Sequence, residues 1–307
     1  LSRSKVLSFF AQTEPCLVGI ESCASSQHRT REIRQFSHTV KLMNPKSGKN
    51  DTNDAEAICE AVGRPNMRFV SVKSVEQQAV CSLHTGRQFL VVQRTALINH
   101  CRGLLTEFGI IMPLGADKVR RLFAEILDDE QSTVPLLLKD LLQQHLQDLA
   151  RLEHRIESID KQLAEWAKTN HQAMTLLQML GVGVITATAF AAGVCDAQLF
   201  ENGRQFAAWL GLVPRQYSSG GKNKLGSITK TGDVYLRTML AQGARSIVFN
   251  AKKKNDPFSL WIQRLLERAG MNKTVIAVAA KQARIMWAIM AKNQDYQPEK
   301  ICSPLSA

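Results

Sequence analysis

A chain of 307 residues, 45% hydrophobic and 21% charged, has the composition of a soluble globular protein and the length for more than one core. Its 39 Lys and Arg against 27 Asp and Glu leave a formal charge of +12, which favours polyanionic partners. Seven cysteines, an odd number with no C-x-x-C pair, argue against a disulfide framework or a zinc site; with no signal-peptide core at the start, they point to a reducing cytoplasm.

In chain order, residues 4–11 read as a short helix and residues 16–20 as an apolar strand ending at Glu21. A polar helix follows over 25–36, then a second apolar strand over 39–43, closed by the turn residues Asn44, Pro45 and Gly48. Residues 51–62 form a helix with Ala55, Ala57, Ile58 and Ala61 on its buried side, and 69–72 add an edge strand. This strand–helix alternation predicts an α/β sheet lobe over 1–73.

Long helices take over from residue 74. The stretch 75–108 has few breakers apart from Gly86 and Gly103. Further on, Leu142, His145, Leu149, Leu152, Ile156, Ile159, Leu163 and Trp166 are spaced alternately three and four apart, the seam of a coiled coil. Two partners fit that seam: an antiparallel hairpin with 75–108, or a second subunit of a homo-oligomer. Residues 74–168 thus connect the first lobe to a compact all-α domain over 169–296, with a short tail at 297–307. Residues 169–195 contain no Asp, Glu, Lys or Arg, but their Ala, Gly and Thr content and the breaks at Gly181 and Gly183 exclude a membrane span.

Three groups of residues suggest chemistry. Glu21 stands at a strand end, and Asp51 and Asp54 stand three apart at a helix start, where an α/β sheet places functional groups. Converging carboxylates hold Mg²⁺ for phosphoryl transfer; the same two aspartates also suit a helix cap and its first turn. The Gly181-Val-Gly183 turn between apolar helices has the pattern of a helix-hairpin-helix, whose backbone amides meet a phosphate, and equally that of a plain helical hairpin. Last, Ser218 and Ser219 precede Gly220-Gly221 between Arg215 and Lys222, a hydroxyl on an electropositive loop. Residues 214–254 carry nine Lys and Arg, among them Lys224, Lys230 and Arg237, against the single acid Asp233, the footprint of a phosphate-binding surface.

The runs "GLVPRQYSSGGK" and "GSITKTGDVYLR", with "GARS" behind them and the Gly-x-Gly hairpin ahead, resemble the C-terminal domain of DEDD transposases of the IS-one-ten insertion-sequence class. The resemblance extends to its IS-eleven-eleven subgroup and to pilin-gene inverting recombinases. "VGIESCAS" and "KNDTNDAEAI" resemble that family's strand-end glutamate and helix-start aspartate pair. The resemblance implies a RuvC-like, RNase H-type lobe with four carboxylates, of which Glu21, Asp51 and Asp54 match the last three. It also implies a serine nucleophile matching Ser219, with Ser218 its neighbour, and a structured guide RNA pairing with donor and target DNA.

Only 20 residues precede Glu21, with no Asp among them, and the chain begins with Leu. A sheet of that type opens with three antiparallel strands, roughly 30–40 residues. The expectation is therefore an α/β plus all-α protein whose RuvC-like lobe is truncated at its N-terminus and inactive as it stands. The function expected is that of an Mg²⁺-dependent transposase cutting and rejoining DNA through Ser219. Its alternatives are a non-catalytic nucleic-acid-binding remnant and a two-metal junction nuclease that forms no serine adduct.

Overall fold

The computed structural model describes residues 2–43, 51–64, 67, 69–112, 115–129, 134–217 and 224–298, with backbone alone at 51–55 and 116–117. The chain clusters into two compact units, Leu1–Gln78 with Val194–Asp196, and Ala79–Gly193 with Ala197–Ala307. The long helices and the helices after residue 169 share the second unit.

In the first unit, helix α1 (Val6–Gln12) leads to strand β1 (Leu17–Glu21), helix α2 (Ser26–Gln35), strand β2 (Thr39–Met43) and helix α3 (Asp51–Val62). The strands pair in parallel, from Leu17 opposite Thr39 to Glu21 opposite Met43, so α2 is the crossover that a parallel pair requires. Ile33 of α2 and Val40 and Leu42 of β2 are fully buried. Helix α3 lies against β1 at Gly19: a methyl group there would stand 2.8 Å from Ile58 Cγ2. The strand expected at 69–72 is reduced to one antiparallel bridge, Val70 N–H donating to Leu42 O at 2.7 Å. Beside the bridge, Phe69 packs with Met43, Ala61 and Val62 and takes the Lys41 ammonium over its ring.

Helix α4 (Val75–Thr106) runs unbroken through Gly86 and Gly103. After it come α5 (Ala116–Asp128), which the sequence pattern did not single out, and α6 (Leu136–Thr169). Every seventh residue of the α6 seam, Leu142, Leu149, Ile156 and Leu163, is buried. Leu142 and Leu149 share a cluster with Cys101 and Leu105 of α4 and with Val119, Phe123 and Ile126 of α5. Leu163 packs on Val80, at the other end of α4. Helices α4 and α6 are therefore antiparallel, and the seam is filled from within the chain. Each buried Leu or Phe contributes about 1.5–3 kcal/mol through removal from water. Arg87 of α4 and Asp160 of α6 form a two-pronged ion pair across this contact, with Arg87 Nη2 3.1 Å from Asp160 Oδ2.

The rest of the second unit comprises α7 (His171–Leu177), α8 (Val184–Gly193), α9 (Gly203–Trp209), strands β3 (Pro214–Gln216) and β4 (Leu225–Ile228), then α10 (Val234–Ala251), α11 (Pro257–Ala269) and α12 (Met271–Lys292). Residues 186–192 of α8 are all buried, which is why this segment carries no charge: it is a core helix. Helix α12 is long and apolar enough to cross a membrane by composition, yet half of it is buried in the protein, where it packs on α9 and α10. Gly203 permits that approach, since a methyl group there would lie 2.9 Å from Arg284 Cα. The six cysteines among the described residues are free thiols.

Candidate functional site

The two motif runs of the C-terminal region are tied into one knot. Helix α9 is capped by Asn202, whose carboxamide accepts from Arg204 N–H and Gln205 N–H at 3.0 Å. It ends at Gly211, in the left-handed region (φ +71°), and Leu212 N–H returns to Ala207 O at 3.0 Å. The chain then enters the β3–β4 hairpin, antiparallel from Pro214 opposite Ile228 to Gln216 opposite Leu225. Beyond β4 the chain turns back along the α9 exit. Thr229 N–H donates to Val213 O at 2.9 Å, and Lys230 N–H donates to Gly211 O at 3.2 Å.

Two glycines let these segments touch backbone to backbone. A methyl group on Gly232 (φ +79°) would stand 1.9 Å from Trp209 O, and one on Gly211 would stand 2.3 Å from Thr231 O. No other residue fits either place. Arg237, one turn into α10, bolts the knot: its Nη1 donates to Leu210 O at 3.0 Å and to Thr231 O at 2.9 Å. Asp233 caps the same helix by accepting from Leu236 N–H at 3.0 Å.

The knot carries the serine loop. Tyr217 N–H donates to Lys224 O at 2.8 Å and closes the hairpin, while the Tyr217 ring lies over Gly226. Ser218, Ser219 and Lys222 lie outside the described residues, in the six-residue segment 218–223 that this closure brackets. Arg215 and Lys224 are exposed at its base, with Arg215 Nη2 3.4 Å from Thr229 O. Lys230 is exposed in the left-handed turn (φ +56°). Among the cations singled out from the sequence, Arg237 has a structural task, whereas Arg215, Lys224 and Lys230 present charge to solvent. The hairpin left little signal in the sequence because both strands are only three or four residues long and almost wholly exposed.

The Gly181–Gly183 turn joins α7 to α8, and its glycines differ. Gly181 (φ +75°) sits on α10, where a methyl group would meet Ile247 Cδ1 at 2.7 Å and Gly243 O at 3.0 Å. Gly183 faces open space, and its carbonyl accepts the first bond of α8 from Ala187 N–H at 2.9 Å. The first amides of α8 are then the donors that a phosphate would meet. Gln282 Nε2 donates to Leu180 O at 2.8 Å and fixes the turn from α12.

A buried polar network that the sequence did not reveal underlies α10. His84 of α4 is 4% exposed, with Nε2 3.0 Å from Thr188 Oγ1 and Nδ1 3.0 Å from the Tyr235 hydroxyl. Thr188 already donates to Val184 O at 2.7 Å, so it accepts from a protonated Nε2, and Nδ1 accepts from Tyr235. Burial first, then the Arg87 charge, push the His84 imidazolium down to a pKa of about 4, with Asp160 opposing. Burial also raises the Tyr235 phenol, so both groups are neutral near pH 7. The only signal in the sequence was a histidine within a helical apolar pattern.

In the other unit, Glu21 is half-buried at the last position of β1. Asp51 and Asp54 belong to the first turn of α3, their side chains outside the described set. Asp51, Asp54, Ile58 and Val62 are spaced 3, 4 and 4 along α3, one helical register, and Ile58 and Val62 are the residues that meet Gly19 of β1. Hard carboxylate oxygens suit Mg²⁺, so the donor chemistry and this register fit such an ion. Among the described residues no three His, Cys, Asp or Glu side chains cluster as metal ligands.

Comparison with known proteins bears on both regions. Residues 173–258, which span the glycine turn, the knot and α10, match the model of the transposase IS116/IS110/IS902 family. A Pseudomonas aeruginosa protein named "Probable family 20 transposase" is 45% identical over 306 residues, covering 97% of this chain and 90% of its own. The transposase for insertion sequence element IS1328 of Yersinia enterocolitica is 39% identical, covering 95% of this chain and 89% of its own. The transposase for insertion sequence element IS1111A of Coxiella burnetii is 38% identical, with 97% and 84% covered.

Proposed function

The chain belongs to the IS116/IS110/IS902 family of transposases, and from that premise we propose that it cuts and rejoins DNA through a covalent bond to Ser219. The supporting observation is the knot: the segments on either side of the hairpin are locked together by contacts that no side chain at Gly211 or Gly232 would allow, and what they hold up is the serine loop. A scaffold fixed this tightly is what positioning a nucleophile demands. In the reaction the Ser219 oxygen bonds to phosphorus and one P–O ester bond of the strand breaks. The serine proton leaves, and the released strand end takes one up. Rejoining reverses these changes with a new strand end, so no outside energy source is needed.

Arg215, Lys222 and Lys224 would favour the alkoxide of Ser219 and offset charge growing on the phosphate. Lys230 would hold a neighbouring phosphate, and the first amides of α8 beside Gly183 would contact the DNA backbone without reading its sequence. Glu21, Asp51 and Asp54 would hold Mg²⁺, which when bound polarises the phosphate oxygens. In this reading the first unit is a RuvC-like lobe, the residues 171–193 a helix-hairpin-helix, and the partners are element and target DNA with a structured guide RNA. A homo-oligomer would bring the carboxylate and serine regions of different copies together.

The test is trapping of a covalent protein–DNA complex. Contrary to the inactivity expected from the sequence, the wild-type chain should form it in this reading, and Ser219→Ala should not, while duplex affinity stays intact. Adduct formation by the Ala variant would move the nucleophile to Ser218 or discard the serine route. Cleavage without any adduct would favour a two-metal nuclease, and binding without cleavage a non-catalytic remnant.

A further inference from the structure

The end of α10 carries an aromatic ring where a folded protein gains nothing from it. Phe249 is 70% exposed. By helical position it stands between two columns of polar residues, Arg245 and Lys252 on one side, Ser246 and Lys253 on the other, all exposed. From Val234 to Asn255 there is no Asp or Glu. The next acid, Asp256, is committed to capping α11, accepting from Phe258 N–H at 3.1 Å and Ser259 N–H at 3.0 Å. Beside this column lies a notch lined by Leu180, Ser246, Asn250, Lys253, Lys254 and Ser259. The surface therefore combines a net positive charge, a recess of mixed polar and apolar lining and a bare aromatic face.

We propose that Phe249 is a stacking platform for an unpaired base of a single DNA strand, with Arg245 and Lys252–Lys254 on its phosphates; the inference rests on the transposase reading above. Charge complementarity selects a polyanion, and the ring narrows the choice. A duplex presents phosphates on its outside and keeps its base faces covered, and a wedge enters it only by unstacking a step at a cost of a few kcal/mol, so an exposed ring on a convex helix gains most from a base already out of the stack. Strand exchange creates such bases. The site is separate from the serine hairpin, which lies at the opposite end of the 18-residue α10.

The experiment uses the full chain and two probes of one sequence, a single-stranded oligonucleotide with 2-aminopurine at successive positions and its blunt duplex. Wild type should quench one 2-aminopurine position strongly. Phe249→Ala should lose roughly tenfold in single-strand affinity and lose the quenching, with duplex affinity changed by less than about twofold. Phe249→Trp should preserve both signals, and Phe249→Leu should not. Because the ring is exposed, all three variants should melt like wild type. Unchanged single-strand binding by Phe249→Ala, or full rescue by Leu, would overturn the stacking role. So would an effect confined to single-stranded RNA or to self-association. If wild type bound neither probe, the transposase reading would fall as well; if it bound both and Phe249→Ala were silent, only this inference would.

Discussion

The serine region and the carboxylate region are built in opposite ways. Around the serine loop the backbone is over-determined: Gly211, Gly232 and the Arg237 guanidinium fix two chain segments against each other within hydrogen-bond distance. Around Glu21 the scaffold is thin, two parallel strands with α3 laid across one of them. In the first region a substitution at a bracing residue, Gly211, Gly232 or Arg237, disturbs folding before chemistry. In the second, Glu21→Gln should leave the fold in place and act through the ligand alone, weakening Mg²⁺ or Mn²⁺ binding in a titration that needs no DNA. The two regions call for different experiments, even where the residues are equally close to the proposed chemistry.

The largest effect should come from the knot. Gly232→Ala combines a left-handed backbone with a methyl group 1.9 Å from Trp209 O, so the chain must move. We expect a loss of about 4 kcal/mol of unfolding free energy in urea titration. A loss below about 1 kcal/mol would mean the knot gives way easily and does not brace the loop.

Next is the network beneath α10. His84 has a folded-state pKa of about 4 against an unfolded value near 6.5, so the unfolded chain binds the proton more readily between those values. Stability present above about pH 6.5 should therefore be lost as pH falls toward 4, by at most about 3 kcal/mol. Arg87, whose charge adds to the effect of burial, stays protonated through that window. His84→Gln should remove this component of the pH slope. Equal slopes for variant and wild type would show that other groups carry the acid sensitivity.

Much of the scaffold was legible because burial left a pattern. Strand β2 and helix α3 fall where the apolar runs place them, and the α6 seam lies within one helix, because each is decided by which side faces a core. The seam's partner was not legible, since a regular stripe suits a neighbouring helix or a second chain equally; Val80, Cys101 and Leu105 answer it from within. The hairpin left no trace, because strands of three and four residues that are almost wholly exposed are too short to show an alternation. The roles of Gly211, Gly232 and Arg237 were also hidden, as each depends on a carbonyl brought from elsewhere. Arg237 was counted with the phosphate-binding cations, when its Nη1 holds two carbonyls of the protein itself.

That difference among cations gives the third prediction. Arg237→Ala strands two carbonyls of the knot and should cost about 2 kcal/mol in folding. Neutralising Lys222, Lys224 and Lys230 together to Gln should leave the urea midpoint alone. The triple variant should instead flatten the dependence of duplex affinity on salt by about 2.7 in log–log slope, the share of three phosphate contacts. An unchanged slope would make the exposed lysines a solvated face.

The smallest effect separates the two glycines of the α7–α8 turn. Gly181→Ala is a poor probe of DNA contact: its backbone is left-handed, and a methyl group would enter Ile247 and the Gly243 carbonyl, so lost binding would only report lost packing. Gly183 has neither constraint. Its backbone is not in the left-handed region, and a methyl group would point into open space. Gly183→Ala should leave folding unchanged or stabilise it by up to about 1 kcal/mol, because the unfolded chain loses freedom. The same methyl group would stand where a phosphate must approach the first amides of α8. Duplex affinity should therefore fall about threefold while the melting temperature holds or rises, a divergence that a packing role does not produce. If affinity and stability stay level together, the turn serves only to seat α8 against α10, and the phosphate contacts belong to the hairpin and its lysines alone.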